Sequence, residues 1–231
     1  MVATTLDAFA LTLFKDSIAL SPGERAEMAA YILQTSREAP ALMPKKEGDT
    51  WTGDTKGHEF LFRNPLFSDL SRRIGQKIRD YVETLGIDGD QVDFYFQRSW
   101  ATVSNRAERI RPHRHEQSNI SFAYYLQKPQ KSGSLQFIMP EVPNEFSPMA
   151  FGGEMLVGGF IKQLTLRNSK TVDVDAEEDE IIVFPSKTLH GTLPNNTDTP
   201  RISISGDVVL MLKDSTGHEY LMPHFSHWQQ F

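Results

Sequence analysis

From Val92 onward the apolar residues recur at every second position, and this change from a helical period most limits what the chain can fold into. The first such run places one set of side chains on a single face: Val92, Phe94, Phe96, Trp100 and Thr102. Further strand-like runs cover residues 119–126, 134–138, 160–166, 171–174, 180–184 and 201–212. Turn residues such as Gly133 and Pro200 separate them. The second half of the chain therefore predicts an antiparallel sandwich or jelly roll.

Two helices are predicted ahead of these strands. Ser21-Pro22-Gly23-Glu24 has the form of a capping box with proline in the first turn. After a predicted loop over residues 38–58, a second helix begins at Asn64-Pro65. It carries an apolar stripe with a period of 3.6: Leu66, Leu70, Ile74, Ile78, Tyr81 and Leu85. The stripe favours packing on a sheet over binding to a partner helix, so the fold class is mainly β with flanking α-helices.

The length of 231 residues suits one domain with one large core. We expect residues 1–231 to form a single domain. Within it, residues 1–90 supply a strand and helical support, residues 91–212 form the β core, and residues 213–231 form a C-terminal tail. Residues 1–20 are expected to pair as an outer strand.

Charge and cysteine content exclude several classes of function. The formal net charge is −6 and no Lys/Arg cluster is present, which argues against nucleic acid as a partner. The absence of cysteine excludes disulfides, thiolate metal sites and cysteine nucleophiles, and it fits a reducing compartment. The N-terminal segment is a poor signal peptide and no apolar run is long enough to cross a bilayer. These features predict a cytoplasmic protein with no membrane association.

Three histidines are candidate metal ligands. His113 and His115 form an H-x-H pair, and on an extended strand residues i and i+2 face the same way. His190 follows a predicted buried strand. Imidazole suits iron, zinc, copper and nickel, although two histidines two residues apart also occur on solvated strands.

Two strands near these histidines carry polar residues on one face. Arg201, Ser203 and Ser205 share a face, and a buried guanidinium there would need an anion such as a carboxylate. Tyr125 shares a small, polar face with Asn119, and this face could line a pocket. The alternative in both cases is that the polar face meets solvent.

Taken together, His113-x-His115, Tyr124-Tyr125-Leu126, Phe184-Pro185…His190 and Arg201-x-Ser203 resemble the 2-oxoglutarate- and Fe(II)-dependent oxygenases. The resemblance is to the small bacterial and phage members, which are prolyl-hydroxylase-like, and it spans residues 113–205. It implies a double-stranded β-helix core, the jelly roll that cupins share.

The resemblance also implies roles for individual residues. That family usually binds iron through His-x-Asp/Glu and a distal His. His113 would then be the first ligand and His190 the distal one. This chain has His115 where the carboxylate normally stands. Either three histidines bind the metal, which we favour, or Glu116 replaces His115 by means of a bulge.

The same resemblance implies the cofactors and the pocket. Fe(II) and 2-oxoglutarate are the expected cofactors, with ascorbate as a candidate reductant. Arg201, Ser203 and Tyr125 would bind the distal carboxylate of 2-oxoglutarate. The candidate substrate-pocket residues are Gln97, Arg98, Trp100 and Asn119. The expected reaction consumes O₂ and hydroxylates a small molecule or a protein side chain, with release of succinate and CO₂.

The sequence is also compatible with two other interpretations of its function. A cupin-type metal dioxygenase also uses a jelly roll and histidines, but it has no need of Arg201-x-Ser203. A non-catalytic jelly-roll binding module would use the histidines structurally. Dependence on 2-oxoglutarate separates these alternatives from the oxygenase.

Overall fold

The structure, a computed structural model, describes residues 3–39 and 47–231. Residues 1–2 and 40–46 lie outside it, together with the parts of the predicted N-terminal strand and of the predicted 38–58 loop that fall on them. The helices are α1 (Pro22–Glu38), α2 (Ser68–Thr84) and α3 (Gly153–Val157). The strands are β1 (Phe14–Ser17), β2 (Trp51–Thr52), β3 (Val92–Ser104), β4 (Ile120–Gln127), β5 (Leu135–Ile138), β6 (Thr171–Val174), β7 (Glu180–Pro185), β8 (His190–Thr192) and β9 (Arg201–Leu212).

Two antiparallel sheets make up the β core. The larger has the strand order β1-β7-β4-β9-β3-β2, and the smaller has the order β6-β5-β8. β7 and β9 both pair with β4, so the chain crosses between the sheets rather than forming consecutive hairpins. The mainly β fold class predicted from the sequence is confirmed.

Local sequence explains where the two long helices begin. Ser21 caps α1 by accepting a hydrogen bond from the Glu24 backbone N–H at 3.3 Å, and the Glu24 carboxylate accepts one from the Ser21 N–H at 2.8 Å. Asn64 caps a short 3-10 turn at Pro65–Phe67, and α2 follows directly from it. Of the predicted stripe on α2, four residues are buried, namely Leu70, Ile74, Ile78 and Tyr81.

The large sheet separates two apolar clusters. One face packs against α1 and α2, so that Ile181, Val183 and Ile204 contact the helical stripe. The other face packs against the small sheet through Tyr125, Phe184 and their neighbours. Helix α2 therefore covers a sheet, as its stripe predicts.

A bulge in β3 overturns the predicted single face of that strand. The register with β9 shifts between Phe96 and Arg98. Before the shift, Phe94 and Phe96 pack on the helical side. After it, the even-numbered Trp100 faces the inter-sheet cavity, and Ala101 takes over the helical side. The extra residue, Gln97, changes which side chains point inward.

The strand predicted over 160–166 does not form. This segment is irregular, and Phe160 and Leu166 are 61% and 80% exposed. The alternating apolar residues imitate a strand, but only Ile161 of this segment is buried, so a strand here would have no covered apolar face. Among the helices of the described residues, none has both the length and the apolar character needed to cross a bilayer.

Gly206→Ala is expected to destabilise the protein by about 1–3 kcal/mol, because overpacking a close-packed strand pair forces backbone shifts. A Cβ at Gly206 would lie 2.7 Å from the Arg98 carbonyl oxygen and 2.7 Å from the Phe122 ring. Urea unfolding would measure the change. The matched control is Gly75→Ala in α2, where a Cβ meets nothing within 4 Å. That control is expected to be neutral or stabilising, and equal losses for both variants would contradict the steric argument.

Candidate metal centre and its cavity

Backbone pairing brings the three histidines together. His113 and His190 exchange backbone hydrogen bonds at 2.8 and 2.9 Å, as a bridge beside β8. The His115 N–H then bonds to the Ser186 carbonyl at 3.0 Å, just after β7. Both ends of the H-x-H segment are thus hydrogen-bonded to the stretch of chain between Ser186 and His190. The ligand atoms of the three imidazoles all lie within 4.8 Å of one another.

Hydrogen bonds fix which nitrogen each imidazole offers to a metal. The Nδ1–H of His113 donates to the Arg111 carbonyl at 2.9 Å, and that of His190 donates to the Thr188 carbonyl at 2.8 Å. The Nδ1–H of His115 donates to Asp207 at 2.5 Å. Its Nε2 is buried and has no hydrogen-bond partner among the described residues. Three Nε2 lone pairs are therefore available to one ion, which is the orientation that partners of ligating histidines impose.

Burial keeps two of these imidazoles neutral. It lowers the pKa of His190 to about 3, and it lowers the pKa of His113 as well. Neutral imidazole is the form that binds a metal. The three imidazole donors, the buried His115 Nε2 without a hydrogen-bond partner and the neutral state of the imidazoles at His113 and His190 all fit a divalent transition metal.

Asp207 is a functional candidate that the sequence analysis missed. It is fully buried and accepts hydrogen bonds from His115, Ser121 and Gln117, at 2.5, 3.0 and 3.2 Å. The signal was present, because Asp207 continues the face of β9 that carries Arg201, Ser203 and Ser205. Extending that alternation by one step would have placed a carboxylate beside the histidines.

The alternative ligand, Glu116, lies away from the cluster. Its side chain is 71% exposed and forms an ion pair with Arg114 at 2.6 Å. No bulge turns it inward, so His115 occupies the position next to the other two histidines.

The residues predicted to bind 2-oxoglutarate lie at one end of the site. Tyr125 and Ser203 are paired across β4 and β9, and both line an inter-sheet cavity of about 240 Å³ that also contains the three histidines. Burial raises the pKa of the Tyr125 phenol to about 12. The hydroxyl therefore keeps its proton at neutral pH and can donate it to an anion in the cavity.

Arg201 is buried beside this end without lining the cavity. Its guanidinium donates to the carbonyls of Ser132, Gly133 and Leu193 at 2.6, 3.1 and 3.2 Å. It also donates to Thr192 Oγ1 at 2.8 Å and Ser104 Oγ at 3.2 Å. The need for an anion, argued from the sequence, is met here by neutral oxygens.

The opposite end of the cavity holds two of the four predicted pocket residues. Arg98 and Trp100 line it, and the Trp100 ring stacks on His115 with a centroid distance of 5.7 Å. Asp54, which the sequence analysis did not single out, lies 3.5 Å from the Arg98 guanidinium. One oxygen of Asp54 is buried with no hydrogen-bond partner among the described residues. This wall therefore offers both an acceptor and donors to a polar group.

Gln97 and Asn119 do not line the cavity. Gln97 is the bulged residue of β3, and its amide nitrogen donates to the Gln117 carbonyl at 3.2 Å. Asn119 is exposed, and its side-chain oxygen accepts from the Leu210 N–H at 2.9 Å. Both amides support the strands around the site.

The fold is similar to several solved structures. HygX from Streptomyces hygroscopicus, solved with nickel and 2-oxoglutarate bound, has a TM-score of 0.53 at 12% identity, covering 93% of this chain and 91% of that chain. The carbocyclase SnoK from nogalamycin biosynthesis gives 0.56 at 12%, covering 92% and 87%. A prolyl-4-hydroxylase from Pseudomonas putida gives 0.51 at 15%, covering 85% and 92%. The chain therefore has the double-stranded β-helix fold of 2-oxoglutarate-dependent oxygenases, and the predicted core architecture is confirmed.

A segment of the sequence matches a family model for the same class of oxygenases. Residues 98–207 match the family model described as "Putative 2OG-Fe(II) oxygenase". This segment runs from Arg98 at the cavity to Asp207 beside His115. No curated protein sequence matches the chain. The resemblance to the 2-oxoglutarate- and Fe(II)-dependent oxygenases is confirmed.

Proposed function

We propose that the protein is a 2-oxoglutarate- and Fe(II)-dependent dioxygenase that hydroxylates a small molecule or a protein side chain. Succinate and CO₂ would be the co-products of the reaction, and O₂ the oxidant. The observation that carries the proposal is the convergence of three imidazoles in the cavity that Tyr125 and Ser203 also line. HygX structures, one with iron bound and one with nickel and 2-oxoglutarate bound, support the choice of both cofactors.

His113, His115 and His190 would hold the iron through Nε2. Bound iron and 2-oxoglutarate would supply the activation of O₂ that the protein's own side chains cannot provide. Three protein ligands leave the remaining coordination positions open, as in other non-haem iron oxygenase sites. The other side chains that line the cavity would then control which molecules enter it and how they are oriented.

Tyr125 and Ser203 would bind the distal carboxylate of 2-oxoglutarate through their hydroxyls. Arg201 lies behind them, and its charge attracts the same group. For direct contact, part of the guanidinium has to exchange a carbonyl partner for the carboxylate. The hydrogen bond gained joins two charged groups and is stronger than the bond to a neutral oxygen that it replaces.

Substrate would enter at the other end, beside Arg98, Trp100 and Asp54. Strand geometry separates the two ends, since Asp207 and Ser203 are four residues apart on β9, or about 13 Å. His115 is hydrogen-bonded to Asp207, so the metal site lies toward the Asp207 end. Substrate would therefore lie beside the metal site, and 2-oxoglutarate would reach the metal from the Ser203 end.

Anaerobic titration of the metal-free protein with Fe(II) and then 2-oxoglutarate tests the proposal. A visible metal-to-ligand charge-transfer band is expected, and it should saturate with 2-oxoglutarate. Succinate release in air, with ascorbate as reductant, would then identify substrates. If the folded protein binds iron but shows no band, a cupin-type dioxygenase replaces the proposal. If it binds no metal at all, a non-catalytic binding module does.

A further inference from the structure

The three candidate ligands bring no negative charge to the metal. A His-x-Asp/Glu…His site gives a divalent ion one anionic ligand. Here position 115 is a histidine, so the ion would enter a largely buried cavity with three neutral ligands. An uncompensated charge in such surroundings is costly. The charge has to be balanced by something close to the site.

Asp207 is a carboxylate in the right place to do this. Its side chain is fully buried and in hydrogen-bond contact with one ligand, His115, at 2.5 Å. The other two candidate ligands differ, since His113 and His190 donate to backbone carbonyls. The one carboxylate contact among the three therefore falls on the residue that replaces the usual acidic ligand.

A chain of serine hydroxyl groups donates a hydrogen bond to the Asp207 carboxylate. Ser118 donates to Ser186 at 2.9 Å, Ser186 and Ser121 are 2.8 Å apart, and Ser121 donates to Asp207 at 3.0 Å. The chain of donors thus ends on the Asp207 oxygen that also accepts from His115. Hydrogen bonds between linked hydroxyls strengthen one another, so this network holds the Asp207 side chain in place beside His115.

We infer that Asp207 is a positioning residue that supplies the metal, through the His115 imidazole, with the negative charge that a carboxylate ligand supplies elsewhere. A carboxylate acceptor on Nδ1–H raises the basicity of Nε2, the nitrogen facing the metal. His115 and Asp207 together act as one anionic ligand divided between two strands of the fold. The inference rests on the proposed function only in the choice of metal centre.

The experiment compares metal affinity in two backgrounds by anaerobic calorimetry with Fe(II) and with Co(II). In the wild-type background, Asp207→Asn keeps the shape and loses the charge, so affinity should fall about 10- to 100-fold. The 2-oxoglutarate charge-transfer band should also move to shorter wavelength, because the iron becomes harder to oxidise. Asp198→Asn is the matched control, since Asp198 is 88% exposed and pairs only with Arg106 among the described residues.

The second background is His115→Asp, which restores an acidic ligand. Two carboxylates would then lie close together, so Asp207→Asn should leave affinity unchanged or raise it. A loss of the same size in both backgrounds would mean that Asp207 is merely structural and would overturn the inference. The inference would equally be overturned if Asp207→Asn left the metal affinity of the otherwise wild-type protein unchanged.

A third measurement needs no variant and guards against failure to fold. In the Zn(II)-loaded wild type, one ligand-histidine Nδ1–H proton should resonate well downfield of the other two, as a proton shared with a carboxylate does. Three similar shifts would contradict the inference. These affinity and proton measurements remain readable if the 2-oxoglutarate band is absent, so failure of the proposed function is distinguishable from failure of the role of Asp207.

Discussion

His190→Ala is expected to abolish the charge-transfer band and to weaken metal binding by at least about 100-fold, more than the loss of an outer-shell partner. His190 is 6% exposed, and its ring lies between Phe184 and His113, at centroid distances of 4.7 and 4.5 Å. Its removal leaves two imidazoles on one segment, which cannot enclose an ion. Calorimetry with Fe(II) and the anaerobic spectrum measure the two effects.

The control for this prediction is His218→Ala, because His218 is exposed and lies outside the cavity. It should retain both metal and band. Circular dichroism of His190→Ala should match the wild type, since the backbone bridge with His113 needs no side chain. A variant that folds, binds Fe(II) normally and gives the band would remove His190 from the site.

Arg201→Ala is expected to lower the free energy of unfolding by about 2–5 kcal/mol and to raise the 2-oxoglutarate concentration needed for the band. The stability loss comes from a cavity and from buried carbonyl oxygens at Ser132, Gly133 and Leu193 that lose their donor. The loss of affinity comes from removing the cation behind Tyr125. Urea unfolding and titration of the band measure them separately.

Thr192→Ala is the matched control for Arg201. It removes the hydroxyl that accepts from the guanidinium at 2.8 Å and from the Ile110 N–H at 2.9 Å, and it leaves the charge in place. We expect a loss of about 1 kcal/mol in stability and little change in 2-oxoglutarate affinity. If Arg201→Ala loses stability but keeps its 2-oxoglutarate affinity, the arginine is purely structural. Equal stability in Arg201→Ala and wild type would contradict the packing argument.

Regular periodicity made much of the fold predictable. The capping box at Ser21, the stripe of α2 and the two faces of β4 depend on neighbours in sequence. The structure confirms them, with alternate residues of β4 in the two apolar clusters. The H-x-H pair and His190 were also found from the sequence, because extended backbone gives residues two apart a common side. The structure brings all three together.

Other features depend on contacts that spacing does not encode. Whether an alternating segment becomes a strand depends on what its apolar face can pack against, and of residues 160–166 only Ile161 is buried. Asn119 was expected on a pocket wall, but the start of β4 is exposed there. Arg201 donates to backbone carbonyls from two loops, and a pattern of side chains in the sequence cannot predict such partners.

The single extra residue at Gln97 has a consequence for how proteins with this site can diverge. Phe96 and Trp100 are both even-numbered, yet Phe96 packs on the helical side and Trp100 lines the cavity, because β3 has one residue more than its partner strand between them. Substitutions along β3 change one side chain at a time and leave the others in place. Deleting Gln97 would leave a regular strand in which Arg98 still pairs with Asp207 and Trp100 with Ser205, so the cavity wall would be kept. Deleting one residue after the bulge, such as Ser99, would instead set Ala101 and Val103 against the histidines and Trp100 against the helices. Changes of length between the bulge and the end of β3 are therefore far less tolerable than changes of residue type. Relatives that share the site should keep the residue count after position 97, whereas the bulged residue itself can be lost.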